Sequence, residues 1–307
     1  MNTGPGDIIY VFPGDGTSTG MDSGITLQDS QRFLGASTPH QIQTTFGTIT
    51  IPPLATTAPV LTNAMISGQS TINLANNNEV SGFTINDLNG AVYTGGIALL
   101  SGTNAMITHN TITTINVASA IEIGDPTGMA TPASGIITIA NNRLLGGDTG
   151  DTYGISVSSG NISVMIQDNT FSGIDGSTGL TQGVNVNPVY TNSLDLSIIG
   201  NVFSSAESID NSDTVAAINI FNVIGTPLMA SIIGNQIGVP QISGAPPANI
   251  AGLYAALEAT GVTMYLNVVD NVANTGSVTG YQFVNSTADP SALQVNFSQN
   301  IGTRIGP

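Results

Sequence analysis

Two pairs of acidic residues are the first candidates for chemistry in this sequence. Glu122 and Asp125 lie three positions apart at the end of a predicted strand, and Asp148 and Asp151 lie three apart within the sequence GGDTGDT. Glycoside hydrolysis uses two carboxyl groups about 5–10 Å apart, and both pairs reach that separation if their loops fold back over a strand face. Glycine and proline residues beside both pairs favour ordinary turns instead. These four acids are therefore weak candidates for catalytic residues, and a structural role in turns is the favoured interpretation.

Two acid-containing loops and two histidines are the candidates for metal binding. The GGDTGDT sequence and the loop PGDGTSTGMD, with Asp15 and Asp22, carry carboxylates that a hard cation accepts. Calcium takes about six to eight oxygen ligands, and these loops supply few of them, so solvated turns are favoured. His40 and His109 have no acidic or cysteine partner at a ligand spacing, which indicates surface or turn histidines. We expect no cofactor, with calcium as the one metal left open.

The composition excludes several classes of partner and chemistry. The 307 residues include three Lys or Arg and 19 Asp or Glu, for a net charge of −16. Nucleic acid and anionic membrane surfaces need a cationic footprint that is missing here. A lyase acting on uronic acid chains needs cations to hold carboxylates, and a protein of this charge repels a polyanion. The absence of cysteine excludes disulfides, cysteine-ligated zinc and thiol catalysis.

A repeated asparagine motif indicates which elements must position these residues. Seven segments place an asparagine between apolar residues, as in IQDNTF and IIGNVF. The spacings between successive asparagines are 32, 27, 32, 34, 36 and 29 residues, a period typical of repeat architectures. The seven asparagines are Asn110, Asn142, Asn169, Asn201, Asn235, Asn271 and Asn300.

A second marker, a small residue followed by alternating apolar positions, precedes every one of these asparagines. Examples are GISV at Gly154 and GVNV at Gly183. Two strands per repeat are thus predicted, and no long apolar stripe of helical period occurs. Alternate side chains of stacked parallel strands fill one continuous interior. The predicted fold is all-β, a right-handed parallel β-helix of about nine or ten coils with an N-terminal cap.

The repeated asparagines themselves are predicted to be structural. An asparagine at the same corner of each coil tolerates the left-handed backbone that a sharp turn needs. Its amide also bonds to the next coil, so stacked copies form a ladder. Turn chemistry and the ladder account for the motif without any ligand.

Aligned columns of the repeat show whether acids meet on neighbouring coils. The outward column of the first strand holds a single acid, and the column before the ladder asparagine holds no two acids on neighbouring coils. Neither column assembles the carboxylate pair of a hydrolase, so we expect a protein that is not an enzyme. The first column is Ala98, Glu122, Ser156, Asn185 and Asn219, and the second is His109, Asn141, Asp168, Gly200, Gly234, Asp270 and Gln299.

The chain divides into a segment that departs from the repeat, residues 1–60, and a body that follows it, residues 61–307. The first segment contains the short strand-like sequences DIIYVF, GITLQ, QRFLG and GTITIPPL, and we predict that it caps the first coil. Proline-containing inserts at Asp125–Ser134 and Gly238–Gly252 are expected to leave the body as loops. The sequence GLYAALEAT is in phase with the strands and is therefore predicted to be a strand rather than a helix.

No segment has the pattern of a signal peptide or a membrane helix. The sequence MNTGPGDIIY lacks a basic segment and a long apolar run, and no window approaches ~18 apolar residues. A surface rich in Asn, Ser, Thr and Gly is common among secreted solenoids. We expect an extracellular or cell-surface protein that is monomeric, is part of a longer precursor and does not itself insert into a membrane.

The first coils resemble a family of bacterial surface proteins. The sequences YVFPGDGTSTGMDSGITLQDSQRFLG and LANNNEVSGFTI, with GGIA at Gly95–Ala98 and FSQN at Phe297–Asn300, are similar to the β-helical passenger regions of polymorphic outer-membrane and autotransporter-type adhesins. Such adhesins belong to chlamydia-related and other Gram-negative bacteria. At the other ladder positions Ile or Val replaces the Phe of the FxxN motif. The resemblance implies an exported, surface-displayed rod whose membrane anchor lies outside this chain.

Two functions follow from these observations as expectations. The first is a non-enzymatic extracellular β-helix for adhesion or structural display, with a glycan or a protein surface as its ligand. Flat parallel faces with polar side chains suit extended weak contacts, and variable corners supply specificity. The alternative is a pectin-lyase-like carbohydrate-active enzyme or carbohydrate-binding solenoid. Turnover of a glycan would indicate the enzyme, and binding without turnover the adhesin.

Overall fold

The computed structural model describes residues 3–65, 69–87, 95–114, 119–146, 152–159, 161–174, 180–190, 192–205, 216–238, 251–274, 279–302 and 305–306. Every regular element in these ranges is a β-strand, and none of them contains a helix long and apolar enough to span a membrane. The strands in chain order are β1 (Ile8–Val11), β2 (Ile25–Thr26), β3 (Arg32–Gly35), β4 (His40–Thr44), β5 (Gly47–Ile51), β6 (Val60–Thr62), β7 (Ile72–Asn73), β8 (Asn78–Ser81), β9 (Thr84–Asp87), β10 (Gly95–Leu99), β11 (Thr103–Thr108), β12 (Thr111–Thr114), β13 (Ser119–Ile123), β14 (Ser134–Ala140), β15 (Arg143–Leu145), β16 (Thr152–Val157), β17 (Ile162–Gln167), β18 (Thr170–Ile174), β19 (Leu180–Val186), β20 (Leu194–Ile199), β21 (Val202–Ser205), β22 (Ala216–Asn222), β23 (Leu228–Ile233), β24 (Gln236–Gly238), β25 (Ala251–Leu257), β26 (Met264–Val269), β27 (Val272–Asn274), β28 (Thr279–Asn285), β29 (Leu293–Ser298), β30 (Ile301–Gly302) and β31 (Ile305–Gly306).

These strands form three parallel stacks. Sheet 1 contains β1, β3, β8, β11, β14, β17, β20, β23, β26 and β29 in that order. Sheet 2 contains β6, β9, β12, β15, β18, β21, β24, β27 and β30, and sheet 3 contains β2, β7, β10, β13, β16, β19, β22, β25, β28 and β31. Sheets 2 and 3 are joined where Ile174 of β18 pairs with Leu180 of β19. Among the described strands, only β4 and β5 pair antiparallel.

One coil passes through sheet 1, sheet 2 and sheet 3 in turn, as β17, β18 and β19 do. The next coil repeats this path with β20, β21 and β22, and each strand pairs in parallel with its counterpart. The ten strands of sheet 1 confirm the predicted parallel β-helix of nine or ten coils. Each coil from β3 onward holds three strands rather than the two predicted, because along the ladder the apolar residue two places after the asparagine lies in a short third strand.

The core follows from the alternation of side chains along the strands. In β17, β20, β23 and β26 every second side chain is buried. Inward residues stack in register from coil to coil, as Ile166 does on Ile198. Sheet 2 contributes Phe171 and Phe203, whose stacked ring centroids lie 4.5 Å apart. All four side chains belong to one apolar cluster, so the coils share a single continuous core.

The glycine that marks strands β16 and β19 of sheet 3 is required by this core. A Cβ atom on Gly183 would lie 2.6 Å from Cδ1 of Phe203 and 2.6 Å from the carbonyl oxygen of Ala217. A Cβ atom on Gly154 would lie 2.6 Å from Cδ1 of Phe171. A small residue at this position leaves space on the inner side of sheet 3 for the side chains of sheet 2.

The first sixty residues contribute strands to the same sheets. Strands β1 and β3 extend sheet 1, and β2 joins sheet 3. Strand β4, which the sequence analysis did not predict, forms an antiparallel hairpin with β5. On sheet 1, Nε of Arg32 donates to Oε2 of Glu79 at 2.6 Å. The division between a cap at 1–60 and a body at 61–307 stays a prediction.

The structure also shows the segments for which loop or strand was predicted. The insert after β13 is a loop over residues 124–133, as predicted, and β14 begins at Ser134. Most of the second proline-containing insert, at Gly238–Gly252, lies outside the described residues. The first six residues of GLYAALEAT lie in strand β25 (Ala251–Leu257), which confirms strand over helix.

Candidate functional site

The seven ladder asparagines form one hydrogen-bonded stack between sheets 1 and 2. Each side-chain Nδ2 donates to Oδ1 of the asparagine on the next coil over 2.8–3.1 Å, from Asn110 to Asn300. The same Oδ1 also accepts the backbone N–H of the preceding asparagine at 2.9–3.0 Å. In the middle, Nδ2 of Asn169 makes its second bond to the carbonyl oxygen of Ile139 at 2.8 Å. Every polar atom of that amide is therefore used within the protein, and none is left for a ligand.

The left-handed residue of this turn precedes the ladder asparagine, which corrects the prediction that the asparagine adopts that backbone. The asparagine instead continues the hydrogen-bonded stack, so the sharp turn is made one residue earlier. Asparagine, aspartate and glycine enter the left-handed region most readily, and they supply five of the seven turn residues. These residues are His109, Asn141, Asp168, Gly200, Gly234, Asp270 and Gln299, with φ between 53° and 66°.

Glu122 points away from the core on β13, and yet its side chain is only 1% exposed. Its Oε2 accepts a hydrogen bond from Oγ of Ser119 at 2.7 Å, and its Oε1 accepts from Ser156 at 3.0 Å and Ser158 at 3.3 Å. Burial raises the pKa of this carboxyl from 4.5 to about 7, and the serine hydrogen bonds oppose that rise. Hydroxyls of two successive coils thus enclose a carboxyl group that titrates near neutral pH.

Asp125 follows Glu122 in the chain, but no described hydrogen bond joins the two carboxyl groups. The carboxylate of Asp125 accepts from the backbone N–H and Oγ1 of Thr127 at 2.9 and 2.7 Å. It also accepts from the backbone N–H groups of Met129 at 3.2 Å and Ala130 at 2.8 Å. Burial acts to raise the pKa of Asp125, but these hydrogen bonds outweigh it and lower the pKa. Asp125 therefore anchors the loop at 124–133.

The second predicted acid pair, Asp148 and Asp151, lies outside the described residues. Within the described ranges, no group of three His, Cys, Asp or Glu side chains is placed to hold a metal ion. The carboxylate of Asp15, a predicted cation ligand, accepts from the N–H and Oγ1 of Thr17 at 2.9 and 2.7 Å. That carboxylate thus stabilises its own turn.

The two histidines differ in their surroundings. His109 takes a left-handed turn position, as predicted, and burial lowers its pKa, with a smaller contribution from the charge of His40. His40 is not the surface or turn histidine that was predicted, because it is buried at the start of β4. Its Nε2 lies 2.6 Å from the carbonyl oxygen of Gly35 and 3.2 Å from Oγ1 of Thr38. These contacts give His40 a structural role.

Comparison with protein-family models, with curated proteins and with solved structures gave no significant match to this chain. The resemblance of the first coils to polymorphic outer-membrane and autotransporter-type adhesins stays a prediction.

The outer face of sheet 1 presents two columns of side chains in register. Their members precede the ladder asparagine of their coil by six and by four residues. This constant offset is a signal that the sequence analysis missed, because it compared other positions. Met229 is 61% exposed and Tyr265 45%, although both lie in fully paired strands. The columns are Asp195, Met229, Tyr265 and Gln294, and Ser231, Asn267 and Asn296.

Two cavities meet at these columns. One of about 540 Å³ lies along the outer face of sheet 1, and one of about 640 Å³ lies at the corner where the chain enters that sheet. Asp195, Met229 and Tyr265 line both cavities. We call the combined depression, centred on these three residues with Asn267 and Asn296, the trough. Each cavity falls in the range of about 300–1,000 Å³ that small-molecule sites occupy.

Proposed function

We propose that this chain is a non-enzymatic, extracellular β-helix that acts in adhesion or structural display at a cell surface, and that the trough is its binding surface. The observation that carries the proposal is the exposure of Met229 and Tyr265 on a rigid, fully paired sheet. Clustered apolar and aromatic side chains that a fold leaves open mark interaction sites. The strands beneath them need no reordering on binding, which reduces the entropic cost of association.

The placement of Glu122 and Asp125 supports binding rather than catalysis. Glu122 is enclosed by serines, and Asp125 is bound to its own loop. Neither carboxyl group faces an open cleft beside a second one, which the hydrolysis of a glycoside requires. The resemblance of the first coils to bacterial adhesins is consistent with this proposal.

A second candidate function is a carbohydrate-active enzyme of the pectin-lyase-like class. The observation that favours it is the pKa of about 7 for Glu122, since a general acid or base works best when its pKa lies near the operating pH. The side chain is 1% exposed, so a substrate would reach it only after a local opening of the fold. Binding without turnover is therefore the better supported function.

Binding through the trough is tested with a double variant, Met229→Ala with Tyr265→Ala. The wild type should bind saturably to cultured cells or to immobilised extracellular-matrix proteins. The double variant should lose about tenfold or more in affinity, or about 1.4 kcal/mol. Met106→Ala is the matched control, because Met106 is 46% exposed on the same sheet but lies outside the trough. Equal binding by the double variant and the control would contradict the proposal.

The same preparations test for catalysis. Polygalacturonate, alginate and neutral glycans are incubated with the wild type, with and without calcium, and reducing ends and unsaturated uronates are measured. We expect no product. Turnover that persists in the Met229→Ala/Tyr265→Ala variant and disappears in a folded Glu122→Gln variant would replace the adhesin with the enzyme.

A further inference from the structure

The chemistry of the trough narrows the class of ligand, and this step rests on the binding function proposed above. We infer that the trough binds an uncharged oligosaccharide chain, with Tyr265 as the platform for a sugar ring and Asn267 and Asn296 as the hydroxyl-binding pair. Tyrosine offers an apolar ring face with a polar tip, which suits a ligand that has both C–H faces and hydroxyl groups. Met229, on the neighbouring strand, extends the apolar platform.

The charge of the trough excludes anionic ligands. Among its lining residues in the described part of the chain, Asp195 is the one Asp or Glu side chain, and none is Lys, Arg or His. The chain as a whole carries a net charge of −16. A polyanion would therefore be repelled over the whole approach to the site and would find no cation there. Uronates, sulfated glycans and nucleic acids are excluded on this ground.

Strand β26, which carries Tyr265 and Asn267, cannot recognise an extended peptide by strand addition. Strand β26 pairs with β23 on one side and with β29 on the other along all six of its residues. Strand addition needs an unpaired sheet edge, and the floor of the trough has none at this strand. A ligand on β26 must therefore be recognised through side chains, which suits a chain of rings with hydroxyl groups around them.

The asparagine pair provides matched donor and acceptor groups for such hydroxyls. Nδ2 of Asn296 donates to Oδ1 of Asn267 at 2.7 Å, which fixes the orientation of both amides. Among the described contacts, Nδ2 of Asn267 and Oδ1 of Asn296 have no protein partner. The pair thus presents a donor beside an acceptor next to the Tyr265 ring, and a vicinal diol both accepts and donates. The pre-ordered amides reduce the entropy lost on binding.

The length of the trough sets the size of the ligand. Its part on the outer face of sheet 1 crosses the strands β20, β23, β26 and β29, which makes a span of about 14 Å at the usual strand spacing and fits about three sugar rings. Affinity should therefore rise with chain length up to about three rings and then level off. A monosaccharide should occupy only the Tyr265 platform.

Titration calorimetry tests this inference with neutral gluco-, manno- and xylo-oligosaccharides of increasing length and with galacturonate oligomers. At least one neutral series should bind, and the uronates should bind about tenfold more weakly or not at all. Tyr265→Ala should lower the affinity about tenfold or more, Tyr265→Phe should keep it within about threefold, and Asn267→Ala should lower it about fivefold. Tyr254→Ala is the matched control, since Tyr254 lies on sheet 3 outside the trough. Thermal melts show that each variant is folded.

Three outcomes would overturn the inference. They are the absence of binding by every neutral series up to about 10 mM, binding that survives Tyr265→Ala, and tighter binding of the uronates. If the Met229→Ala/Tyr265→Ala variant still loses cell or matrix binding in the first case, the trough binds a protein, and the proposed function stands without the glycan. If that variant binds like the wild type, both proposals fail.

Discussion

Asn169 lies in the middle of the ladder and uses every hydrogen-bonding group of its amide. Replacing Asn169 by alanine would leave its hydrogen-bonding partners on both neighbouring coils unpaired. These groups are buried, so water could not replace the lost amide. The side chain is 1% exposed, so the free energy of unfolding should fall by about 1–3 kcal/mol. Urea denaturation of Asn169→Ala measures this loss. Asn187→Ala is the control, because Asn187 is exposed and should change stability by less than about 0.5 kcal/mol. Equal losses in the two variants would show that the ladder is not stabilising.

The carboxyl group of Glu122 should make the stability depend on pH. Its pKa is 4.5 in the unfolded chain and about 7 in the folded one. Below pH 4.5 both states hold the proton. Between these values only the folded state keeps it, so the free energy of unfolding falls as the pH rises. Above about pH 7 the carboxyl group is ionised in both states. By then the free energy of unfolding has lost a contribution on the order of 3 kcal/mol, and a further rise in pH does not change it.

The variant Glu122→Gln removes this titration while keeping the shape of the side chain. The stability of the wild type minus that of Glu122→Gln should therefore fall between about pH 4.5 and pH 7 in urea unfolding experiments. Asp289→Asn is the comparison, because hydrogen bonds from Ser291 lower the pKa of Asp289. Asp289 therefore affects the pH dependence of the free energy of unfolding only at acid pH. A difference for Glu122→Gln that stays constant across this range would show that Glu122 is ionised throughout.

Strands of sheet 3 depend on small residues to approach the side chains of sheet 2. In Gly183→Ala the new methyl group would meet the Phe203 ring and the carbonyl oxygen of Ala217, both at 2.6 Å. Overpacking of this kind should cost about 1–3 kcal/mol in thermal or urea unfolding. Gly4→Ala is the control, because the nearest atom to its Cβ, Oδ2 of Asp7, is 3.9 Å away.

A second substitution shows whether the cost comes from the aromatic ring. Phe203→Leu removes ring atoms that the methyl group of Gly183→Ala would meet. The double variant should therefore lose less stability than the sum of the two single variants, by about 0.5 kcal/mol or more. Strict additivity would mean that the strand shifts away from sheet 2 instead of pressing on the ring.

In the whole molecule each coil is supported by the coils on either side of it, and an end coil has one neighbour only. Strands β17 and β20 lie in the middle of sheet 1, and β1 and β29 are its edges. The edge strands are also more exposed at their inward positions. Stability in such stacks is a sum of coil and interface contributions.

Hydrogen exchange should therefore be graded along the stack. Backbone amides of β17 and β20 should exchange at least about tenfold more slowly than those of β1 and β29, as followed by mass spectrometry of peptides. The paired hairpin of β4 and β5 is an internal reference for a strand pair outside the main sheets. Uniform exchange rates from β1 to β29 would indicate that the chain opens only as one unit.

The sequence alone determined the repeat, the parallel β-helix and the register of its columns. The predicted column of Ala98, Glu122 and Ser156 is aligned in the structure, because the small residue that marks each sheet 3 strand sets the phase of its alternation. The same regularity made the strand at GLYAALEAT predictable. Period and alternation are local properties, and they suffice to say which residues share a column.

Only the tertiary structure decided how each column is surrounded. Alternation placed Glu122 outside the core, but a neighbouring coil, whose serines hydrogen-bond to it, helps to bury it, and this burial raises its pKa. The trough likewise arises where Met229 and Tyr265 are left uncovered beside Asp195, a relation between coils about thirty residues apart in the chain. Burial and cavity shape depend on what packs against a face, and that is set by the stacking of distant segments rather than by the sequence around one residue.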